Sequence, residues 1–267
     1  MILLSLNVWG DERKVFEKLI SYIKLMGGVG GVDVFCFQEV FSTISGNAPA
    51  WSNDGDARYK LFTDFCNILP NHRGYFAPHH DRFDYDGETP FFTSFGLATF
   101  VRKEIHVTAV GDVFVFGNRN EVGSEHPFSR SRAVQYVTVV DENGKPCTIC
   151  NFHGLWNGKN KYDSEERLNQ TKNVHAFLNE IPHAKILCGD FNMMPGIESL
   201  RILEKGMRNL IVESNVISTR SDLYEKRDIE PYADYILVSR GVEVKSFHVL
   251  WIEVSDHLPL EMEFSVL

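Results

Sequence analysis

Five apolar runs of strand length in this chain each stop at side chains that carry oxygen or imidazole. Leu4-Ser5-Leu6 leads to Asn7, and Phe35-Cys36-Phe37 leads to Gln38-Glu39. Ile149-Cys150-Asn151-Phe152 leads to His153, and Ile186-Leu187-Cys188-Gly189 leads to Asp190-Phe191-Asn192. Val254-Ser255 leads to Asp256-His257. Short apolar runs of this kind read as buried strands. Strand ends in layered α/β folds lie at the rim of the sheets, where sites tend to be built. Side chains two apart on a strand point to the same side, so Asp190 and Asn192 can present two oxygens to one ligand.

Each ending has an ordinary reading when taken alone. Asn7 suits a turn, Glu39 a loop charge, and Asp190-x-Asn192 the capping chemistry around Pro195. His153 alone reads as a structural histidine and Asp256-His257 as a surface pair. Their joint occurrence points elsewhere. Glu39, Asp190 and Asp256 in one pocket repel each other, by about 4 kcal/mol for a pair 4 Å apart at an effective dielectric of about 20. A divalent cation relieves that repulsion. Oxygen donors with few nitrogens and no thiolate favour Mg²⁺, or Mn²⁺, over zinc.

The rest of the chain supplies the scaffold. Residues 11–26 carry an apolar stripe at helical spacing and stop at a glycine cluster. Further helices are expected over 58–69, 164–178 and 197–205. Strands are expected over 95–101, 105–110, 131–140 and 146–152, the last two joined at Asn143-Gly144, and again over 233–238, 242–250 and 258–264. Residues 42–56, 71–90 and 117–130 read as polar excursions. No linker-like composition interrupts the order, so residues 1–267 are expected to form one domain. Each half runs strand, helix, strand and then further sheet elements, which suggests two sheets stacked face to face with helices outside.

Charge and cysteine usage narrow the class. The net charge is −9, which argues against a protein that coats nucleic acid with clustered Lys and Arg. It leaves room for an enzyme whose cleft is locally positive around a metal. The five cysteines (Cys36, Cys66, Cys147, Cys150, Cys188) have no regular spacing, and they read as thiols in a reducing compartment rather than a disulfide frame. With no leader-like N-terminus and no run of about 18 apolar residues, a cytoplasmic monomer without membrane insertion is expected.

The motifs Leu6-Asn7-Val8-Trp9, Phe37-Gln38-Glu39-Val40, Gly96-Leu97-Ala98, Asn151-Phe152-His153, Gly189-Asp190-Phe191-Asn192, Ala233-Asp234-Tyr235 and Ser255-Asp256-His257-Leu258-Pro259 occur in the order of the endonuclease/exonuclease/phosphatase, or deoxyribonuclease I-like, superfamily. The chain resembles that family from residue 7 to residue 259. The resemblance implies an α/β four-layer sandwich: two stacked, mostly antiparallel β-sheets flanked by helices. It implies Glu39 as principal metal ligand, with Asn7 and Asp256 nearby. Asp190 matches the group that positions or deprotonates the attacking water, and Asn192 a phosphate or second-metal contact. His153 resembles the histidine facing the phosphate or leaving group, and Asp234 the carboxylate that orients His257.

Members of such a family differ in the loops around the pocket. Candidates for reading the substrate are Trp51 in residues 42–59, the stretch 71–92 with His79 and His80, Arg130 and Arg132 in residues 117–132, and Lys159 directly after His153. Arg and Lys would position phosphate, and Trp51 could stack on a base. The expected activity is metal-assisted hydrolysis of a phosphodiester in DNA, RNA or a nucleotide-like molecule. The alternatives are a phosphomonoesterase or lipid-headgroup phosphoesterase, and a module that binds phosphate without catalysis.

Overall fold

In the computed structural model, which describes every residue except 10, 11, 45, 47, 86 and 122–129, the first two apolar runs are strands β1 (Ile2–Asn7) and β2 (Val34–Ser42). They pair in parallel, Asn7 opposite Gln38. Parallel neighbours need a crossover, and helix α1 (Glu12–Met26) supplies it. Helix α2 (Leu61–Ile68), β3 (His72–Asp81) and β4 (Ser94–Arg102) follow. Next come β5 (His106–Phe116), β6 (Arg132–Val140), β7 (Pro146–His153), α3 (Glu165–Glu180) and β8 (Ala184–Asp190). The chain ends through α4 (Glu198–Leu203), β9 (Met207–Asn209), α5 (Leu210–Glu213), β10 (Asp234–Ser239), β11 (Val242–Val249) and β12 (Leu260–Val266).

The strands form two six-stranded sheets, ordered β11-β12-β1-β2-β4-β3 and β5-β6-β7-β8-β10-β9. The orders match strand for strand. In each sheet the central pair, β1–β2 or β7–β8, is parallel and the other pairings are antiparallel. The same path is therefore traced twice, without a visible sequence repeat. Its consequence is positional: Asn7 and His153 end equivalent strands, as do the segments that carry Glu39 and Asp190.

Alternation along the strands explains why the runs are apolar throughout. Leu4, Leu6, Phe35 and Phe37 pack outward against Leu19 and Ile23 of α1 and Leu61 and Phe65 of α2. Leu3, Val34 and Cys36 point the other way, into a core shared with Val134, Ile149 and Leu187 of the second sheet. Both faces are covered, so neither needs polar residues. Helix α3 is anchored by Ser164, whose side chain caps Arg167 N–H. Arg167 is fully buried and donates to the carbonyls of Leu155, Asn160 and Tyr162, which fixes the loop after β7.

One stretch departs from the sequence expectation. Residues 71–90 do not form a single excursion, because 72–81 are β3, the edge strand of the first sheet. Its polar content disguised it, yet His79 and His80 are fully buried. The short β9 and α5 were not foreseen either. Four of the five cysteines are buried and all are free thiols.

Between the sheets, beneath the strand ends, lies a polar layer. Gln38 Nε2 donates to Asn151 Oδ1 at 2.7 Å, and Asn151 Nδ2 donates to the carbonyls of Phe37 and Ala98. Thr99 Oγ1 donates to Gln135, which donates on to the Tyr75 carbonyl. Removing one member strands its partner away from water, which costs about 1–3 kcal/mol. Gln38→Leu and Asn151→Leu are each expected to lower stability by about 2 kcal/mol in urea denaturation. The double variant should lose less than the sum, because neither partner is then left unpaired. Strict additivity would show that the Gln38–Asn151 bond does not couple the sheets.

Candidate active site

Glu39 reaches the rim through a bulge. Between Phe37 and Val40 the register of β2 against β4 slips by one residue, and Glu39 takes a left-handed φ of 62°. That conformation costs a non-glycine residue about 1–3 kcal/mol, and here it turns the carboxylate toward the second sheet. Asn7 Nδ2 donates to Glu39 Oε1 at 2.9 Å and to Asp190 Oδ2 at 3.0 Å. The Tyr85 hydroxyl donates to Glu39 Oε2 at 2.9 Å. Asn7 Oδ1 is occupied by Trp9 N–H at 3.1 Å. Asn7 thus meets both carboxylates through nitrogen, not through the oxygen expected of a metal ligand.

Asp190 ends β8 in a tight crossing of chains. A Cβ at Gly189, whose φ is 133°, would lie 2.0 Å from the Phe152 carbonyl oxygen, and one at Gly154 would lie 2.0 Å from that of Phe191. These glycines let β7 and β8 approach so that His153 stands opposite Asp190. Asn192 also has a positive φ, 53°, and its backbone N–H donates to Asp190 Oδ1 at 2.8 Å.

His153 Nε2 lies 3.7 Å from both Glu39 Oε1 and Asp190 Oδ2. Ligand atoms of Glu39, His153 and Asp190 fall within 4.8 Å of one another, close enough to share one ion. Electrostatics mark the same three groups. Burial, reinforced by Asp190 and only partly offset by Asn7, raises the Glu39 pKa. Burial and the Arg132 charge push His153 down to about 3, so it is neutral at pH 7. Burial opposes ionisation of Asp190, but His257, His153, Arg220 and Lys161 overcome it and hold its pKa at about 2.

A second group adjoins the first. His257 Nδ1 donates to both oxygens of Asp234, at 2.8 and 2.9 Å, and its Nε2 lies 3.7 Å from Asp190 Oδ2. Burial and Arg220 oppose the imidazolium, yet Asp234, Asp256 and Asp190 together raise its pKa. Arg220 Nη1 sits 2.6 Å from Asp256 Oδ2 and touches His257 Nε2. With Nδ1 carrying the proton toward Asp234, Nε2 accepts in that last contact and the guanidinium donates. Asp256 is consequently not in the group that converges on one ion point; its partner is a guanidinium.

The two groups floor a cleft of about 610 Å³, also lined by Trp9, Tyr85, Arg130, Arg132, Trp156, Lys161 and Tyr224. Of the residues foreseen from sequence, Glu39, His153, Asp190, Asn192, Arg130, Arg132, Asp256 and His257 line it. Asn7 and Asp234 stand behind as hydrogen-bond partners. Trp51 does not line it. That ring packs edge-on against Phe16 of α1 and lies under the Arg13 and Arg58 guanidinium groups. Lys159 does not line it either. The turn at Asn157 exposes Lys159 and buries Lys161, whose Nζ donates to the Tyr232 carbonyl. Residues 122–129 of the expected substrate loop lie outside the described residues.

Sequence reasoning missed Arg220 and Tyr224, which also line the cleft. Arg220 lies in an isolated bridge to His257 and carries no apolar run to announce it. Burial and Arg220 lower Lys161 to about 8. A further hollow of about 710 Å³ between α1 and residues 251–258 holds none of the candidate site residues.

The profile of the endonuclease/exonuclease/phosphatase family matches residues 4–257. A family protein from Leptotrichia buccalis aligns with a TM-score of 0.71 at 18% identity, covering 99% of each chain. A mannosyl-6-phosphatase from Bacteroides thetaiotaomicron gives 0.71 at 16% identity, again over 99% of each. The human Nocturnin catalytic domain gives 0.67 at 17% identity, over 100% of this chain and 93% of that one. No curated protein matches in sequence. At such identities the likeness shows a common fold, with two mixed sheets and flanking helices.

Proposed function

The chain belongs to the endonuclease/exonuclease/phosphatase family, and from that premise we propose that it is a divalent-metal-dependent phosphoesterase cleaving a phosphodiester in nucleic acid or a nucleotide-like molecule. The observation that carries the reading is the meeting of Glu39 and Asp190 on one amide nitrogen, with His153 beside them. Side chains from opposite sheets would not be gathered with like charges unless a cation joined them in the working state.

The donor set fits such an ion. Glu39 and Asp190 offer two hard oxygens and His153 one nitrogen, a mixture acceptable to Mg²⁺ with water ligands and more so to Mn²⁺. The raised Glu39 pKa is the signature of a buried carboxylate lacking a counter-charge. When bound, the cation would polarise a phosphoryl oxygen and steady the leaving oxygen. This chain's own residues would do the rest. A carboxylate held at about 2 orients water more readily than it keeps a proton, which favours positioning as the role of Asp190. His257, aimed by its bond to Asp234, would face the charge spreading over the phosphoryl oxygens. Asn192 and Arg132 would hold the phosphate.

The acidic net charge and the bounded cleft favour a nucleotide-sized substrate over a long polymer. Trp9, Trp156, Tyr85 and Tyr224 give its ring a surface to lie against. A monoesterase is the second reading. It is favoured by Arg130, Arg132, Lys161 and Arg220 around one cleft, more positive charge than a single diester phosphate needs.

Hydrolysis of bis(p-nitrophenyl) phosphate, p-nitrophenyl phosphate, dinucleotides and single- and double-stranded DNA and RNA, with Mg²⁺, Mn²⁺ or EDTA, tests both. Diesters cut only with metal support the first reading, and a strong preference for monoesters supports the second. Failure of every phosphoester with either metal would remove the proposal.

A further inference from the structure

We propose that Arg220 is a built-in second cation, so that the site takes one divalent ion at Glu39–Asp190 and uses the Arg220 guanidinium to bind the phosphoryl group. The inference rests on the phosphoesterase reading above and assigns a residue and a metal count that the family match does not supply.

Four observations carry it. Arg220 Nη1 lies 2.6 Å from Asp256 Oδ2, and both side chains are at least nine-tenths buried. The guanidinium rests on the Tyr224 ring, 4.1 Å from its centroid, which fixes its plane. Its Nε is buried with no hydrogen-bond partner among the described residues, as is the other Asp256 oxygen, Oδ1. Among the described residues, the group able to converge on one ion contains Glu39, His153 and Asp190 but not Asp256.

These facts divide the cleft floor. One pair of carboxylates, Glu39 and Asp190, is bridged by the Asn7 amide and stands 3.7 Å from His153 Nε2. The other side, Asp256 and Asp234, is already met by Arg220 and His257. An arginine side chain does not give up its proton in a protein, so it cannot make way by turning neutral. A second ion on Asp256 would have to displace it against like charge. Arg220 also faces the cleft, flanked by the carboxylates of Asp256 and Asp190 and by His257 and Lys161. A planar donor beside a metal-polarised phosphate suits bidentate contact with two phosphoryl oxygens. A purely structural arginine would be expected to bond its buried Nε as well.

Titration of Mn²⁺ into the purified chain, followed by the loss of the free-ion EPR signal, reads the count without any turnover. One ion per chain is expected for the wild type. Arg220→Gln is expected to admit a second ion at Asp256, and to lower kcat about 10²-fold with a smaller change in KM. Guanidinium ion should restore part of the kcat of Arg220→Ala, and Arg220→Lys should retain more activity than Arg220→Gln. Two ions of similar affinity in the wild type would overturn the proposal. So would full turnover by a folded Arg220→Gln variant with one ion bound. If the wild type binds one ion but hydrolyses no phosphoester, the functional reading falls while the metal count stands.

Discussion

Asp190→Ala is expected to lower kcat/KM by about 10³-fold or more, while costing the fold about 2 kcal/mol. The first number follows from what meets at one carboxylate. Asp190 receives Asn7 Nδ2 and Asn192 N–H, and lies 3.7 Å from the Nε2 atoms of both His153 and His257. Its loss removes the orienting group, one hard ligand oxygen and a carboxylate beside His257 together; positioned proton acceptors alone contribute about 10²–10⁴-fold. The second number follows from its pKa of about 2, against an ordinary value near 3.8. That depression is stability the ionised group supplies above the unfolded pKa, and each pKa unit is worth about 1.4 kcal/mol.

Glu39 should behave differently. Burial raises its pKa, so ionised Glu39 opposes folding at pH 7. Glu39→Gln is expected to lose turnover as severely as Asp190→Ala but to melt at the same temperature as the wild type or higher. Steady-state kinetics and urea denaturation of both variants separate the roles. Full activity in a folded Asp190→Ala protein would refute the function assigned to that carboxylate, and equal losses of stability would refute the electrostatic contrast.

That contrast was not legible in the sequence, whereas the convergence behind it was. The runs before Asn7, Glu39, His153, Asp190 and His257 could be read because strands covered on both faces are apolar throughout, so each polar ending stands out. Strand β3 could not be read that way. It lies at a sheet edge, mixes Pro78 and three histidines into its length, and buries His79 and His80 against later parts of the chain, Phe114 and Ser131. Arg220 is a harder case. Its meaning lies in Asp256 and His257, which are 36 and 37 residues away, and a short polar segment gives no local sign of such pairing. The same limit governs Asp256. A motif identifies the residue, but only the fold reveals that a guanidinium holds it. Trp51 reads as a ring that could stack on a base because it lies in a polar loop; in the fold it packs half-buried against Phe16, Arg13 and Arg58.

Acidification from pH 7 to pH 5 is expected to remove about 4 kcal/mol of stability through His80 and His153 together. Burial, assisted by Arg132 and Arg130, lowers His80 to about 3, and burial with Arg132 does the same to His153. Both are neutral in the fold but take up protons near pH 6.5 when unfolded. The unfolded chain therefore binds more protons, and stability falls with pH by about 1.4 kcal/mol per unit for each such histidine below pH 6.5. Over this interval that is about 2 kcal/mol apiece, and His79, held down by burial and Arg132, acts in the same direction. His257 has a raised pKa, so its contribution is fully present below the unfolded pKa and offsets part of the loss. The diagnostic residue is His79, because neither of its ring nitrogens has a partner among the described residues. His79→Leu forfeits no hydrogen bond and removes one proton-binding group from the unfolded chain. Its urea midpoint should fall less between pH 7 and pH 5 than that of the wild type. Parallel pH profiles for the two proteins would show that the buried imidazole does not set the acid limit.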